Sequence, residues 1–425
     1  MKRIGKYILA ASLAAMGCNA MAQGLNSAYF IEDYKFRHTM NPAFDNEQNY
    51  VSIPALGNLN VRTQGNFGIG DVLFDNPRYG IDSDKKKTTF MNPYISTKDA
   101  LAGFASGTNR INADVDITIL SAGFKKFGGY NTISLDARTN VDMALPYSLF
   151  EFAKNTGNKT YVMDDINVHA QSFVQLAFGH SRKINDRLRV GAKMKLLFGA
   201  ARGDVQISNL RADLAGEDKW TMQGSAKANI SMKGFAFKQE EKEYKQDGKG
   251  TYKYVNDIDI DGPGLGGFGM AFDLGAVYKI NDDWQVSASL VDLGFISWSN
   301  NVTAVNKQET FEFYGFHDIS YDKHDANGNL KDNSFESQGD KYGDQLADFA
   351  NLTDEGDQGG RTTGIGATLN VGAEYTFPLY RKLKFGFLSS TRFNGKYTWT
   401  EGRLSANVSP LKWIDGGVNF ALNSY

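Results

Sequence analysis

Charged residues recur at alternate positions in several long runs, and alternate residues of a strand share one face. Asp114 and Asp116 fall on such a face, as do Asp136, Arg138 and Asp142, and Arg189, Lys193 and Lys195. His169, Asp273, Glu374 and Arg392 occupy equivalent places in other runs. Charges turned inward need partners or water. One reading is a salt-bridged, hydrated interior that holds the shape of the molecule. The other is a path for a polar or amphipathic solute, with Arg189, Lys193 and Lys195 attracting an anionic headgroup.

Other chemistries have less support. Asp257-Ile258-Asp259-Ile260-Asp261-Gly262 matches the first half of a calcium loop, with oxygen ligands at alternate positions and a glycine at the turn. The twelfth position is Phe268, where a bidentate glutamate is required. Asp257, Asp259 and Asp261 therefore read first as alternating carboxylates on an exposed strand. His38, His169, His180, His317 and His324 include no pair at zinc-helix spacing. His180-Ser181 adjoins a tight turn, and no nucleophile and base can be paired along the chain. The expectation is a protein that is not an enzyme and needs no cofactor. A net charge of −2 gives no basic face for nucleic acid.

The elements that carry these residues follow from composition and periodicity. The 425 residues include 45 glycines, 29 phenylalanines and 20 tyrosines, but only 8 prolines. Mean hydropathy is −0.40, which argues against apolar helices that cross a membrane. Leu188, Val190, Ala192, Met194, Leu196 and Phe198 alternate with Arg187, Arg189, Lys193 and Lys195. Phe268, Met270, Phe272, Leu274, Ala276 and Tyr278 alternate with glycine, Asp273 and Lys279. Such runs exceed ordinary globular strands and suit the roughly 10-residue crossings of outer-membrane barrels. Tight turns near residues 126–130, 184–186, 280–282, 378–382 and 410–412 alternate with long polar excursions, as in a barrel with short turns on one side. Aromatic residues gather beside the tight turns, among them Tyr278, Trp284, Tyr375 and Trp413, as an interfacial girdle requires. A soluble sandwich is the competing architecture.

Lys2, Arg3 and Lys6, the apolar stretch Tyr7 to Met16 and Ala20-Met21-Ala22 read as an export signal, cleaved between Ala22 and Gln23. Cys18 offers a rival lipoprotein site; cleavage after Ala22 removes it and leaves no cysteine. The expected organisation is a signal peptide over 1–22, an N-terminal segment over 23–49 that is either a lumen plug or a periplasmic segment, and an antiparallel transmembrane barrel over 50–425. Strands are expected near 50–74, 111–126, 130–143, 166–182, 187–200, 203–213, 218–232, 265–280, 283–298, 361–377, 382–393, 396–408 and 413–423. Barrels of this kind have even strand numbers. The expectation is therefore about 14 strands with the closing one missing from a truncated chain; the alternative is one miscounted strand, with Asp204 to Asp213 the first suspect. Short helices are expected over Pro146 to Lys154 and Asp340 to Leu352.

Gln23-Gly24-Leu25-Asn26-Ser27-Ala28-Tyr29-Phe30 and Met40-Asn41-Pro42-Ala43-Phe44, with Val291-Asp292-Leu293-Gly294 after an Ile-Asn-Asp turn, resemble a Bacteroidota outer-membrane barrel family of unknown function. More distantly the pattern is similar to long-chain fatty-acid transporter barrels and to the barrel that shuttles cargo in type IX secretion. The resemblance implies a barrel in the outer membrane of a Gram-negative bacterium, in contact with its lipid. Two functions are expected: transport or binding of a small hydrophobic or amphipathic molecule, or a structural role as an assembly or secretion partner.

Overall fold

The computed structural model describes residues 25–32, 34–46, 48–53, 59–216, 219–246, 249–315, 320, 324–325, 327, 331–411 and 414–424. The expected signal peptide and its cleavage point at Ala22 and Gln23 lie outside the described residues, as do His317 and Trp413.

The chain begins its sheet with β1 (Tyr50–Ser52) and β2 (Leu59–Gly65), which both pair with one later strand. A small hairpin of β3 (Leu73–Asp75) and β4 (Lys87–Thr89) follows, flanked by α1 (Ile69–Val72) and α2 (Thr97–Leu101). Next come β5 (Thr108–Lys126), β6 (Gly129–Pro146), α3 (Tyr147–Lys154), β7 (Thr160–Val162), β8 (Ile166–Lys183) and β9 (Leu188–Asp213). Then β10 (Trp220–Met232), β11 (Phe235–Glu243), β12 (Thr251–Ile260), β13 (Gly267–Lys279) and β14 (Trp284–Trp298) lead to β15 (Val302–Asn306) and β16 (Thr310–Phe313). After α4 (Phe335–Ala350) the chain ends with β17 (Leu352–Asp357), β18 (Arg361–Gly364), β19 (Ala367–Thr376), β20 (Leu383–Phe393), β21 (Trp399–Leu411) and β22 (Ile414–Asn423).

All but four of these strands join one 18-stranded antiparallel sheet, the wall of a barrel. Its neighbours run in order from β1 and β2 through β5, β6, β8 and β9, then β13, β14, β18 with β19, β20, β21 and β22. Hairpin chemistry makes this order cheap. Between β5 and β6 only Phe127 and Gly128 intervene, both at positive φ (57° and 72°), the geometry of a two-residue turn whose twist matches the strands. Among the described residues β22 and the first strands share no backbone pairing. Side chains draw the two ends together across the interior: Gln64 donates to Glu401 at 3.0 Å, and the Arg62 guanidinium lies 4.8 Å from the Trp399 ring.

The wall is inverted relative to a soluble sandwich. Along β13 Phe272 is 46% exposed, whereas the adjacent Asp273 is fully buried. Phe268, Met270 and Leu274 also face outward, and on β9 the outward Met194 is flanked by buried Lys193 and Lys195. Trp284 and Tyr375 pack 4.9 Å apart on the outside near the tight turns. Exposing aromatics while burying ions is unfavourable in water and favourable when lipid is the outer solvent.

The strand reading needs one correction. The expected strands at 187–200 and 203–213 are a single strand, the 26-residue β9. Ala200 to Arg202 contains no residue that forces a turn, and the strand takes up one extra residue at Ala200 as a bulge against β8 and continues. Its lower half pairs with β13 and its upper half with β10. Thus β10 and β13 form one pass of the wall, interrupted by the β11–β12 hairpin, and the described residues make eleven passes where thirteen strands were expected.

At the long-loop end, α2 and α3 pack Leu101 and Phe150 against Phe67, Phe90, Ile95 and Phe104, with Phe104 and Phe150 stacked at 3.9 Å. The expected helix near 340–352 is α4, which starts five residues earlier because Ser334 caps it, accepting from the Ser337 N–H at 3.1 Å.

Candidate functional site

The interior is built in layers. Nearest the tight turns sits the N-terminal segment, which has no strand period of its own and folds as turns and single turns of 3-10 helix. Asn41 anchors it. Its Nδ2 donates to the carbonyls of Ala288 (3.3 Å) and Ala276 (3.4 Å) on the wall, and its Oδ1 accepts from the Ala43 N–H at 2.9 Å. Ser289 and Asn370 both donate to the Met40 carbonyl, at 2.7 and 3.0 Å. Tyr29 and Ser287 share a hydrogen bond of 3.0 Å. Two glycines admit the segment this closely. A Cβ on Gly275 would lie 2.1 Å from Asn41 Oδ1, and one on Gly191 would lie 2.2 Å from the Pro42 carbonyl oxygen.

His38 of this plug meets a wall lysine. Lys193 donates to His38 Nδ1 at 3.0 Å and to the His38 carbonyl at 2.9 Å. A lysine ammonium has no acceptor, so Nδ1 accepts and Nε2 carries the proton. Nε2 then donates to the Tyr50 hydroxyl at 2.8 Å, which is 2.9 Å from Ser121 Oγ. Burial, and next the Lys193 ammonium, push the His38 pKa well below its usual value. The imidazole is therefore neutral in its seat.

Above the plug lies a charge network. Lys195 bridges Asp273 (2.8 Å) and Asp292 (2.6 Å), and Arg138 joins Asp292 (2.8 Å) to Asp116 (2.9 Å). Asp292 has φ +61°, strained for a residue with a side chain, and its N–H donates to Asp273 at 2.8 Å. The β13–β14 ladder shifts register there, so that Asp273 of one strand and Asp292 of the other meet one ammonium. Arg392 and Arg62 share Asp114. The space left among Asp114, Asp116, Arg138, Phe173, Ile365 and Arg392 is about 10 Å³, room for a water and nothing larger.

An apolar layer of Phe173, Leu197, Ala271, Ile296, Trp298 and Ile365 comes next. Nearest the long loops, His169 donates from Nδ1 to Asp204 at 2.8 Å, and Asp204 also accepts from Arg202 (2.9 Å) and Arg361 (2.8 Å). His169, Arg202, Asn394 and Tyr397 border a cavity of about 530 Å³ that opens there. At the opposite end Glu32, Arg37, Asp45, Arg189 and Lys279 border one of about 310 Å³.

Each expected path residue thus has a partner. Arg189 pairs with Asp45 of the plug, Lys193 with His38, and Lys195 and Arg138 with Asp292. Asp136 accepts from Thr118, Ser134 and Gln175, Glu374 lies 3.5 Å from Lys384, His169 meets Asp204, and Arg392 meets Asp114. The row Arg189, Lys193 and Lys195 is engaged by Asp45 and His38 of the plug and by the wall carboxylates Asp273 and Asp292. Asp257 and Asp259 lie on β12, paired with β11, and Lys238 reaches Asp259 at 3.1 Å. Asp257 and Asp259 are thus in extended strand, with Asp261 and Gly262 just past its end.

Residues 42–425 match the model of a family of unknown function, DUF5723. The chain belongs to that family. The match starts at Pro42, so the family unit takes in the Pro42-Ala43-Phe44 end of the plug as well as the whole wall. No curated protein matches the chain. Among solved structures, the toluene transporter TodX of Pseudomonas putida is 8% identical, with 90% of each chain covered and a TM-score of 0.26. The monoaromatic hydrocarbon channel CymD is 9% identical, with 77% of this chain and 86% of that one covered and a TM-score of 0.21.

Sequence reasoning missed His38, Tyr50, Asp45, Asp204 and Asp292 as members of the site. Asp292 had a signal: a lone carboxylate in Val291-Asp292-Leu293-Gly294 breaks the alternation of β14 beside a glycine. His38 had only its place between the aromatic Phe36 and the Asn41-Pro42 anchor.

Proposed function

We propose that the protein resides in the outer membrane of a Gram-negative bacterium and binds or passes a small hydrophobic or amphipathic molecule, with residues 25–46 as its gate. The tight turns then face the periplasm and the long loops the exterior. The observation that carries this reading is the manner in which the plug is held. Its polar contacts with the wall, such as Lys193 to His38 and Arg189 to Asp45, are ones that water or a solute can replace, and its apolar contact there is the cluster of Tyr29, Phe30, Met40 and Phe44 on Leu388. Blind cavities of about 530 and 310 Å³ lie on either side of the closed middle, within or at the edge of the size range of small-molecule sites. No catalytic group is required.

The test is a planar-bilayer recording and native mass spectrometry of the purified full chain. The reading expects a closed wild type, a conducting His38→Ala variant, and a copurifying amphipathic molecule lost when Arg202 or Tyr397 is replaced. The second reading, a structural or secretion partner, is favoured by the closed middle layer. It expects no conductance in any variant that frees the plug, and a copurifying protein.

A further inference from the structure

The cavity at the tight-turn end, about 310 Å³, lies between the plug and the wall. The plug contributes Arg37 and Phe44 to its lining. The wall contributes Arg187, from the turn between β8 and β9, with Leu188 and Val277. We infer that this cavity is a binding site for a small organic monocarboxylate, gripped by Arg37 and Arg187. The inference rests on the reading of this cavity as a ligand site and adds the chemistry of its ligand.

Arg37 is 6% exposed, yet its guanidinium is only partly engaged. Nε donates to the Tyr29 carbonyl at 3.1 Å, and the guanidinium carbon lies 4.1 Å from the centre of the Phe44 ring. These two contacts fix the plane of the group. Among the described residues, Nη1 and Nη2 have no hydrogen-bond or ion-pair partner. A buried guanidinium is ordinarily paired, and its planar fork takes a carboxylate through parallel hydrogen bonds. Held in advance by Tyr29 and Phe44, this fork loses little freedom on binding.

The other charges around the cavity have contacts of their own. Glu32 pairs with Lys384 at 2.5 Å, Asp45 with Arg189 at 2.5 Å, Lys279 with Asp282 at 2.9 Å and Lys183 with Asp186 at 3.7 Å. Lys384 also lies 3.5 Å from Glu374. Arg37 is offset by these carboxylates at longer range but touches none of them. Burial pulls its pKa below the ordinary value, and Glu374, Glu32, Tyr29 and Asp45 restore only part of the difference. Arg187 is exposed and has no side-chain partner among the described residues, so it leaves one positive charge in excess. A monoanion completes this set, whereas a dianion overfills it. Phe44, Leu188 and Val277 give the remaining lining an apolar surface, which suits a short hydrocarbon or single-ring body and not a hydrated phosphate. The volume is at the lower end of the range for small-molecule sites, so the body is compact.

The experiment is titration calorimetry of the full chain in detergent against benzoate and hexanoate, with benzyl alcohol, hexanol and inorganic phosphate alongside. At least one carboxylate is expected to bind, with an affinity about tenfold or more above that of its alcohol. Arg37→Gln should weaken it by about tenfold or more, and Arg187→Gln by about twofold to fivefold. Arg187 stands exposed on a turn, so its variant leaves the plug seated and carries the test if Arg37→Gln opens the plug to protease. Failure of both carboxylates to bind, equal binding of the alcohols, unchanged affinity in Arg187→Gln, or binding of phosphate alone overturns the proposal. The site is complete with the plug seated, so a barrel that never conducts refutes the gate and leaves this result intact.

Discussion

Lys193 of the wall gives two hydrogen bonds to one residue of the plug, His38, at its ring nitrogen and at its carbonyl. A buried ammonium therefore depends on a segment that the rest of the fold could release. Removing the ring by His38→Ala leaves Lys193 one bond short in a buried site. The expected cost to the seated state is about 1–3 kcal/mol, read as a higher open fraction in single-channel recordings.

The same contact makes seating depend on pH. The released histidine titrates near 6.5, whereas the seated one stays neutral well below that value, because it is buried and faces Lys193. Tyr50 meets its other nitrogen as a neutral hydroxyl, and Lys195 adds to the positive field. Above about pH 6.5 both states are neutral and the seat has its full strength. As the pH falls further, only the released state takes up the proton, so seating weakens by about 1.4 kcal/mol per pH unit until the lowered value is reached. Protease access to the N-terminal segment should rise between pH 7 and 5, and His38→Gln should flatten that response.

The glycines beneath the plug allow a separate test. Gly275→Val places carbon where Asn41 Oδ1 now lies, without removing any hydrogen-bonding group. Unseating of the plug with an intact barrel is expected, scored by the same protease assay together with unchanged gel migration of the unheated protein.

Lys195 sits between two buried carboxylates, so Lys195→Met leaves Asp273 without its cation and Asp292 with Arg138 alone. Breaking a buried pair from one side costs about 3–5 kcal/mol. The temperature at which the folded band disappears in heated-gel assays should drop clearly, and Lys195→Met with Asp273→Asn together should recover part of the loss.

If lipid is the outer solvent, Phe272→Arg should destabilise the barrel by about 2–4 kcal/mol, measured by urea unfolding in vesicles. The inward-facing Ser289→Ala, opposite Gly275 on the neighbouring strand, should cost no more than its bonds to Met40 and Asn370.

The wall was legible from sequence because lipid on one side and ions on the other impose a strict period of two, visible from Phe268 to Tyr278. The tight turns were legible for the same reason. The join of 187–200 with 203–213 was not, since Gly199 and Gly203 look like punctuation, whereas the Gly199 backbone is kept bare for another purpose: a Cβ there would lie 2.6 Å from the Trp298 ring. The ion pairs were not legible as pairs. Lys195 and Asp292 are 97 residues apart, and only strand order and the Asp292 bulge bring them together. The plug contacts were hidden because a segment without period announces no partner.

One consequence follows from the split pairing of β9. Since β10 and β13 continue one another along that strand, Lys233 and Gly266 stand side by side, so close that a Cβ on Gly266 would lie 3.0 Å from the Lys233 nitrogen. The stretch between them leaves and re-enters the wall at a single point. It is a natural cassette: the hairpin between them can change in length without shifting the register of β13 on β9 below it.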